Sequence, residues 1–398
     1  MTKHQDLDIG VPNDDREVKG YLECVRQALF FPDIDMDVWI QREGLDNIRV
    51  ARRAGKVVGG VIGQPMGQWF GGQSVPMSAV RAVGVAPEHR GTGVATRMMQ
   101  GLMEELHREG VPISTLFPAT QPVYRRAGYE QAGVQLTYRL PLQAIDSCDR
   151  ALPLRRIEPK DHEAVRAAYS VRASRTAGCL DRNEWAWNRI FSPVLSAQNT
   201  YGYLVEQDGR VTGYVVYSQV QGERIAHAHK LVLSDSVVLT PEAGRRLLAF
   251  LADHESMVES ITWYGAPADP VLYLLGDQSW RHVDRLDWML RVVDVGRALE
   301  ARGYPPGITG EVHFDVSDDV LAQNNRRFVL EVAESRGHVR EGGQGTIRID
   351  VRGLAAVYTG HLTPLELKTT TLVDAADDDL LAMARFFAGP SPWMSDRF

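Results

Sequence analysis

Cysteine is scarce in this chain. Cys24, Cys148 and Cys179 stand far apart, form no CxxC pair and leave an odd one over. That excludes a disulfide framework and a cysteine-ligated metal site, and it fits three reduced thiols. The sequence also lacks an apolar run long enough to cross a bilayer and a cleavable leader, so a soluble, cytoplasmic protein without a membrane partner is expected. There is no basic excess. The formal charge of −7 and pI near 5.9 argue against nucleic acid as a partner and modestly favour a cationic substrate. Metal ligands are equally sparse: His227 and His229 would share one face of a strand, but no third ligand stands nearby, and no metal is expected. What the chain does have is length. Its 398 residues exceed one ordinary domain and predict two or three, each with its own core.

The stretch 83–108, VGVAPEHRGTGVATRMMQGLMEELHR, carries the clearest chemistry. It begins as a strand through Val83 and Val85, turns at Pro87 and passes through Arg90-Gly91-Thr92-Gly93-Val94-Ala95. It then becomes a helix with Val94, Met98, Leu102 and Leu106 on one face, closed by Gly110. A helix whose first turn follows small residues exposes unpaired N–H groups at the positive end of its dipole, where a diphosphate can sit. Gly91, Gly93 and Ala95 let phosphates approach the backbone. A glycine-rich link between strand and helix is also common as a mere turn. However, no Lys-Ser or Lys-Thr follows, as a nucleoside-triphosphate loop would require, and the glycines are not spaced for the dinucleotide fingerprint. Further on, residues 111–117 read as a short apolar strand. Thr120 to Tyr129 read as a one-turn helix with a cap, an early Pro122 and a closing Gly128.

Arg90-x-x-Gly93-x-Ala95 resembles the coenzyme A signature of the GCN5-related N-acetyltransferases (GNAT), with Ala in its last place. That resemblance implies acetyl-coenzyme A as co-substrate. Val83, Gly84 and Val85 would hold it as strand backbone, and His89, Arg90, Gly91, Thr92, Gly93, Val94, Ala95 and Thr96 would form the cradle. In that family a tyrosine placed as Tyr124 is in Tyr124-Arg125-Arg126-Ala127-Gly128-Tyr129 marks where the thiol leaves. Tyr124 is thereby implied as the general acid, a phenol with an ordinary pKa of about 10, and Tyr129 is read as a packing residue.

A second copy is written further along. One constant offset lays Arg53-Ala54-Gly55-Lys56-Val57-Val58-Gly59 on Gln207-Asp208-Gly209-Arg210-Val211-Thr212-Gly213, each a strand, a Gly turn and a strand. The same offset lays Val83, Val85 and Pro87 on Val237, Leu239 and Pro241. Arg90-Gly91-Thr92-Gly93, however, falls on Gly244-Arg245-Arg246-Leu247, an ordinary helical sequence. The second copy is expected to have lost coenzyme A.

After Trp288 the pattern changes to a short helix over 294–302, strands over 311–316, 326–332 and 346–351, and helices over 351–358 and 380–386. This portion resembles a sterol-carrier-protein fold, which does not by itself make it a lipid carrier. The expected architecture is α/β (α+β): an active GNAT-like domain over 1–145, a degenerate one over 146–287 and a sterol-carrier-like α+β domain over 288–398. In that order the chain resembles the enhanced intracellular survival (Eis) family of bacterial N-acetyltransferases.

That resemblance implies acetylation of primary amines on aminoglycoside-like, polyamine or lysine acceptors, and a homo-hexamer. It also implies Phe398, through its terminal carboxylate, as the base that the first copy's motif does not supply. Phe30, Trp39 and Trp185 are implied counterparts of aromatic wall residues around the substrate; Phe31 and Trp187, like them, read equally as core. The expected mechanism is direct transfer in a ternary complex, with the backbone N–H near Val85 polarising the thioester carbonyl. The alternatives are a non-catalytic acyl-coenzyme A or ligand-binding scaffold, and a protein lysine acetyltransferase.

Overall fold

The computed structural model describes residues 7–30, 35–196, 199–222 and 229–398. In chain order the first elements are β1 (Leu7–Gly10), α1 (Asp15–Leu29), α2 (Met36–Glu43), β2 (Ile48–Arg53), β3 (Lys56–Phe70), β4 (Gln73–Val85), α3 (Val94–Arg108), β5 (Ile113–Leu116) and α4 (Gln121–Arg125). Next come β6 (Glu130–Pro141), β7 (Leu154–Arg156), α5 (His162–Ala173), β8 (Leu180–Asp181), α6 (Glu184–Ser196), β9 (Thr200–Gln207), β10 (Arg210–Val220), β11 (His229–Val238), α7 (Pro241–Ala252), β12 (Val258–Gly265) and β13 (Arg281–Val292). The chain closes with α8 (Val295–Ala301), β14 (Gly310–Ser317), β15 (Arg327–Ala333), β16 (Arg336–Glu341), β17 (Ile347–Asp350), α9 (Val351–Thr359), α10 (Pro364–Leu367), β18 (Val373–Asp374) and α11 (Asp377–Phe386).

Contacts group these elements into two compact units. One holds residues 1–132, 288–389 and Phe398; the other holds 133–287 and 390–397. In the first, β1 to β4 form an antiparallel run, and β5 lies parallel to β4. The end of β13, Met289 to Val292, pairs antiparallel with β5. Trp288–Val292 was assigned above to the C-terminal domain; these hydrogen bonds make it instead a strand of the acetyltransferase sheet. Helix α3 lays Val94, Met98, Leu102 and Leu106 into the core, as its spacing predicts, together with Met99 and Met103. Its end is closed by Gly110 in the left-handed region, with Val111 N–H returning to Leu106 O. The C-terminal fold in the same unit has the order β16-β15-β14-β17-β18, a small sheet against α8, α9 and α11, with Phe314, Leu354, Tyr358 and Met383 fully buried.

The second unit repeats the first copy's plan as β6-β12-β11-β10-β9-β7, with β11 and β12 parallel. Residues 136–141 pair with β12, so the boundary expected at 145 falls too late: this stretch completes the second copy's sheet. The repeat seen in the sequence is a repeat of backbone. Both hairpins turn on a residue with positive φ followed by glycine, Ala54-Gly55 and Asp208-Gly209. Three free thiols are present, with Cys24 and Cys179 buried and Cys148 exposed. No helix among the described residues is long and apolar enough to cross a membrane.

Candidate active site

The site is made by two strands that part company. β4 and β5 are paired only from Met77↔Ile113 to Ala79↔Thr115, whereas β4 runs on to Val85, so a wedge opens beyond Ala79. A bulge bends β4 within that wedge. Its register against β3 slips between Gly60 and Ile62, and Ala82 takes φ 51, a strained value for a residue inside a strand. Tyr21 on α1 holds this turn by donating its hydroxyl to Ala82 O at 2.6 Å. A side chain at Gly60 would strike that ring, its Cβ falling 2.4 Å from Tyr21 Cδ2.

The bulge sets which amides face the wedge. Ala86 N–H donates to Val58 O at 2.9 Å, and antiparallel ladders alternate, so Val85 beside it is a non-hydrogen-bonded position. Its N–H and C=O therefore point away from β3. Its carbonyl is reached by Arg90 Nε at 3.4 Å. The N–H remains aimed to the side from which β5 has diverged, the direction a donor to a thioester oxygen needs.

The cradle follows. Gly91 and Gly93 have φ +73 and +81, and a Cβ on either would meet nothing within 4 Å. Gly93 caps α3 with no side-chain hydrogen bond, so the first-turn amides and the dipole are offered to solvent. Thr92 folds its hydroxyl back onto His89 O at 2.7 Å, which fixes the loop. Arg53, at the end of β2, was not legible as a site residue. Its Nη1 lies 3.3 Å from Thr92 Oγ1 and 3.4 Å from His89 Nδ1, adding a cation beside the glycines. Only strand register brings it there.

Tyr124 is buried on α4, its ring edge-on to Tyr129 at 6.2 Å, and burial pushes its phenol up to about 12. It therefore keeps its proton throughout the neutral range. Tyr129 is fully buried, its hydroxyl 2.6 Å from Ser114 Oγ, which donates to Ser78 O. Phe398 packs edge-on against Phe117, just past β5, with centroids 5.7 Å apart. The residues before it are held: Asp396 binds Arg182 Nε at 2.9 Å, and Gln135 Nε2 donates to Ser395 O at 3.0 Å.

The residues implied as an aromatic wall each have their own setting. Trp39 is packed in the core against Tyr21 with 1% exposure, which leaves no face for a substrate. Phe30 caps the end of α1 in the left-handed region, its ring almost fully in solvent. Trp185 belongs to the other unit, under the Arg189 guanidinium, and Trp187 is core. Phe31 and His227 lie outside the described residues; His229 Nδ1 accepts from Gly222 N–H.

The second copy differs at four of these points. Pro241 begins α7 where Pro87 begins the loop, so the second copy has no cradle loop. Thr240 caps the helix with its own hydroxyl. Leu274 covers its first turn, 2.3 Å from where a Gly244 Cβ would be. Leu239, the counterpart of Val85, donates its N–H to Thr212 O at 2.8 Å in the ladder. The expected loss of coenzyme A from this copy has a physical basis in those four features.

Comparisons with known proteins give the family. Models of an acetyltransferase (GNAT) domain match residues 12–132 and 178–292, and a sterol carrier protein domain model matches 295–395. The structure of a GCN5-related N-acetyltransferase from Anabaena variabilis is 36% identical, covers 99% of this chain and 100% of its own, and superposes with a TM-score of 0.94. An uncharacterized N-acetyltransferase from Streptomyces griseus is 28% identical over 82% of this chain and 83% of its own length. N-acetyltransferase Eis from Mycobacterium tuberculosis is 26% identical over 77% and 76%. The chain belongs to the GCN5-related N-acetyltransferases and is an acyltransferase enzyme. Two GNAT domains followed by a sterol-carrier-like domain make it an Eis-like member, and the family's acetyl donor is acetyl-coenzyme A.

Proposed function

We propose that the enzyme acetylates a primary amine of a cationic acceptor, aminoglycoside-like, polyamine or lysine, by direct transfer in a ternary complex. The observation that carries this is the conjunction, in one unit, of an uncapped helix beside open glycines, a strand amide turned into a wedge, and a buried protonated phenol. Together they match the three demands of acyl transfer from a thioester: a seat for the diphosphate, a donor for the developing oxyanion, and a proton for the thiolate. The acceptor's ammonium first loses a proton to the Phe398 carboxylate, through water because a carboxylate is a weak base. The amine nitrogen then bonds to the carbonyl carbon while the Val85 N–H steadies the oxygen. As the C–S bond breaks, Tyr124 gives a proton to sulfur, and the second proton that nitrogen sheds as the amide forms returns to the phenolate through water. The acceptor's positive charge is favoured by the chain's net −7.

The name of the mycobacterial relative, N-acetyltransferase Eis, supports N-acetylation, and a homo-hexamer is part of the proposal. A thiol-release assay over a panel of aminoglycosides, polyamines and lysine peptides tests it. Acceptor-dependent thiol release with an acetylated amine in the mass spectrum is the expected result. Thiol release unaffected by every amine would sink the proposal.

A further inference from the structure

In the second copy the strands also part. β11 and β12 are paired only as far as Val232↔Thr262, yet β11 continues to Val238 and β12 to Gly265. No coenzyme A fits there, for the reasons given above, but the wedge is not filled. It holds a cavity of about 600 Å³ walled by Leu233, Leu247, Leu248, Leu251, Ile261 and Trp263. A volume of that size with apolar walls and few polar groups is the ordinary form of a small-molecule site.

One polar group in this wall is out of place. Arg172, on α5, lines the cavity with its guanidinium held between the rings of Tyr169 and Trp393, 5.2 and 5.1 Å from their centroids. Its Nε and Nη2 are buried and have no hydrogen-bond partner. Asp235, a carboxylate in its electrostatic surroundings, is already engaged by Arg182 Nη1 and Nη2 at 2.7 and 3.0 Å and by the Tyr214 hydroxyl at 2.6 Å. The cavity's own acid, Asp269, is occupied too, accepting from Trp263 Nε1 and Val271 N–H. A guanidinium with two buried N–H-bearing nitrogens left without acceptors is costly, and a bound anion would relieve that cost. Arg175 and Thr176 stand in the same wall, adding a second cation and a hydroxyl.

We propose that the second acetyltransferase-like domain is a binding site for a long-chain carboxylate, with the alkyl chain among the leucines and Trp263 and the carboxylate against Arg172. Loss of the diphosphate cradle then converts a thioester channel into a lipid-chain pocket. This site shares no residue with the acetyl-transfer site and does not depend on that assignment.

The test is displacement of a fluorescent fatty acid from the full-length protein by dodecanoate and by dodecanol, below their aggregation concentrations. One saturable site is expected, with dodecanoate at least tenfold tighter than the alcohol. Arg172→Met should remove that preference while the alcohol still binds. Leu248→Trp should fill the cavity and abolish both, with acetyl-coenzyme A binding intact. Photolabelling with a diazirine fatty acid, read by mass spectrometry, locates the site even if Leu248→Trp does not fold. Label within 233–275 supports the proposal; label in the sterol-carrier-like residues 310–386 overturns it. Equal affinity for acid and alcohol, or no saturable binding, overturns it as well.

Discussion

Replacing Gly93 by leucine isolates what the cradle does. The residue is exposed, its φ is +81, and a Cβ there meets nothing within 4 Å, so the substitution creates no clash and little change in global stability is expected. What it does create is backbone strain of about 1–2 kcal/mol for a side chain in the left-handed region. The free loop relieves that strain by leaving this conformation, and binding must restore it. If the relaxed loop also loses one charge-assisted hydrogen bond to a phosphate, about 1.5–3 kcal/mol more is lost. The sum, about 2.5–5 kcal/mol, weakens acetyl-coenzyme A by about two to four orders of magnitude. Calorimetric titration measures this directly, and wild type should bind one acetyl-coenzyme A per chain. Gly244→Ala is the matched control: its Cβ would displace the end of Leu274, 2.3 Å away, and should leave cofactor affinity unchanged. An affinity within threefold of wild type for Gly93→Leu, or two cofactors per chain, would refute the reasoning.

Tyr124→Phe should lower kcat by about two to four orders of magnitude with acetyl-coenzyme A affinity nearly unchanged; turnover above a tenth of wild type would assign Tyr124 to packing. Because its phenol is pushed up to about 12, no loss of activity from Tyr124 ionisation should appear in the pH–rate profile below pH 10. Extending the chain past Phe398, or deleting Arg397 and Phe398, should cripple turnover with folding and cofactor binding intact, and a C-terminally tagged protein of full activity would exclude the terminal carboxylate as base. The Arg52 guanidinium holds Glu17 down at about 2, so this pair stabilises the fold above the ordinary carboxylate range near 4.5 and is lost as pH falls from there towards 2. After solvent screening the contribution is about 1–2 kcal/mol, and urea titrations at pH 6 and pH 3 should show a smaller difference in Glu17→Gln than in wild type.

The parts of the site that need special residues were legible in the sequence. Gly91 and Gly93 adopt backbone angles other residues avoid, the α3 stripe repeats at helical spacing, and Tyr124 lies where the family's motif puts it. The bulge left no such mark. Ala82 is an ordinary residue in an ordinary strand, and its positive φ depends on the Tyr21 hydroxyl and on the absence of a side chain at Gly60, neither adjacent to it in sequence. Arg53 likewise acquires a role only through strand register. Trp39 was ambiguous for a different reason: a large aromatic near a cleft and one beneath it look alike in sequence, and only burial separates them. The domain limits failed where strands pair across long sequence separations, at residues 136–141 with β12 and at Met289 to Val292 with β5.

The two copies differ in where each stores strain. Among the described non-glycine residues with positive φ, Ala54, Asp208, Glu334 and Ser335 sit in hairpin turns and Phe30 at a helix end, whereas Ala82 alone lies inside a strand. Such a residue costs on the order of 1–3 kcal/mol and persists only where its surroundings enforce it. In the second copy the register slip lies between Val216 and Tyr217, opposite Leu233 to Asp235, with no positive φ, and Leu239 N–H returns to the ladder. With no amide turned into the wedge this strand is better paired, and the helix after it has Thr240 as its cap. The hydrophobic core and the splay of the strands do not depend on either change, so they persist. The wedge therefore remains in the second copy, with apolar walls and an Arg172 whose Nε and Nη2 have no hydrogen-bond partner.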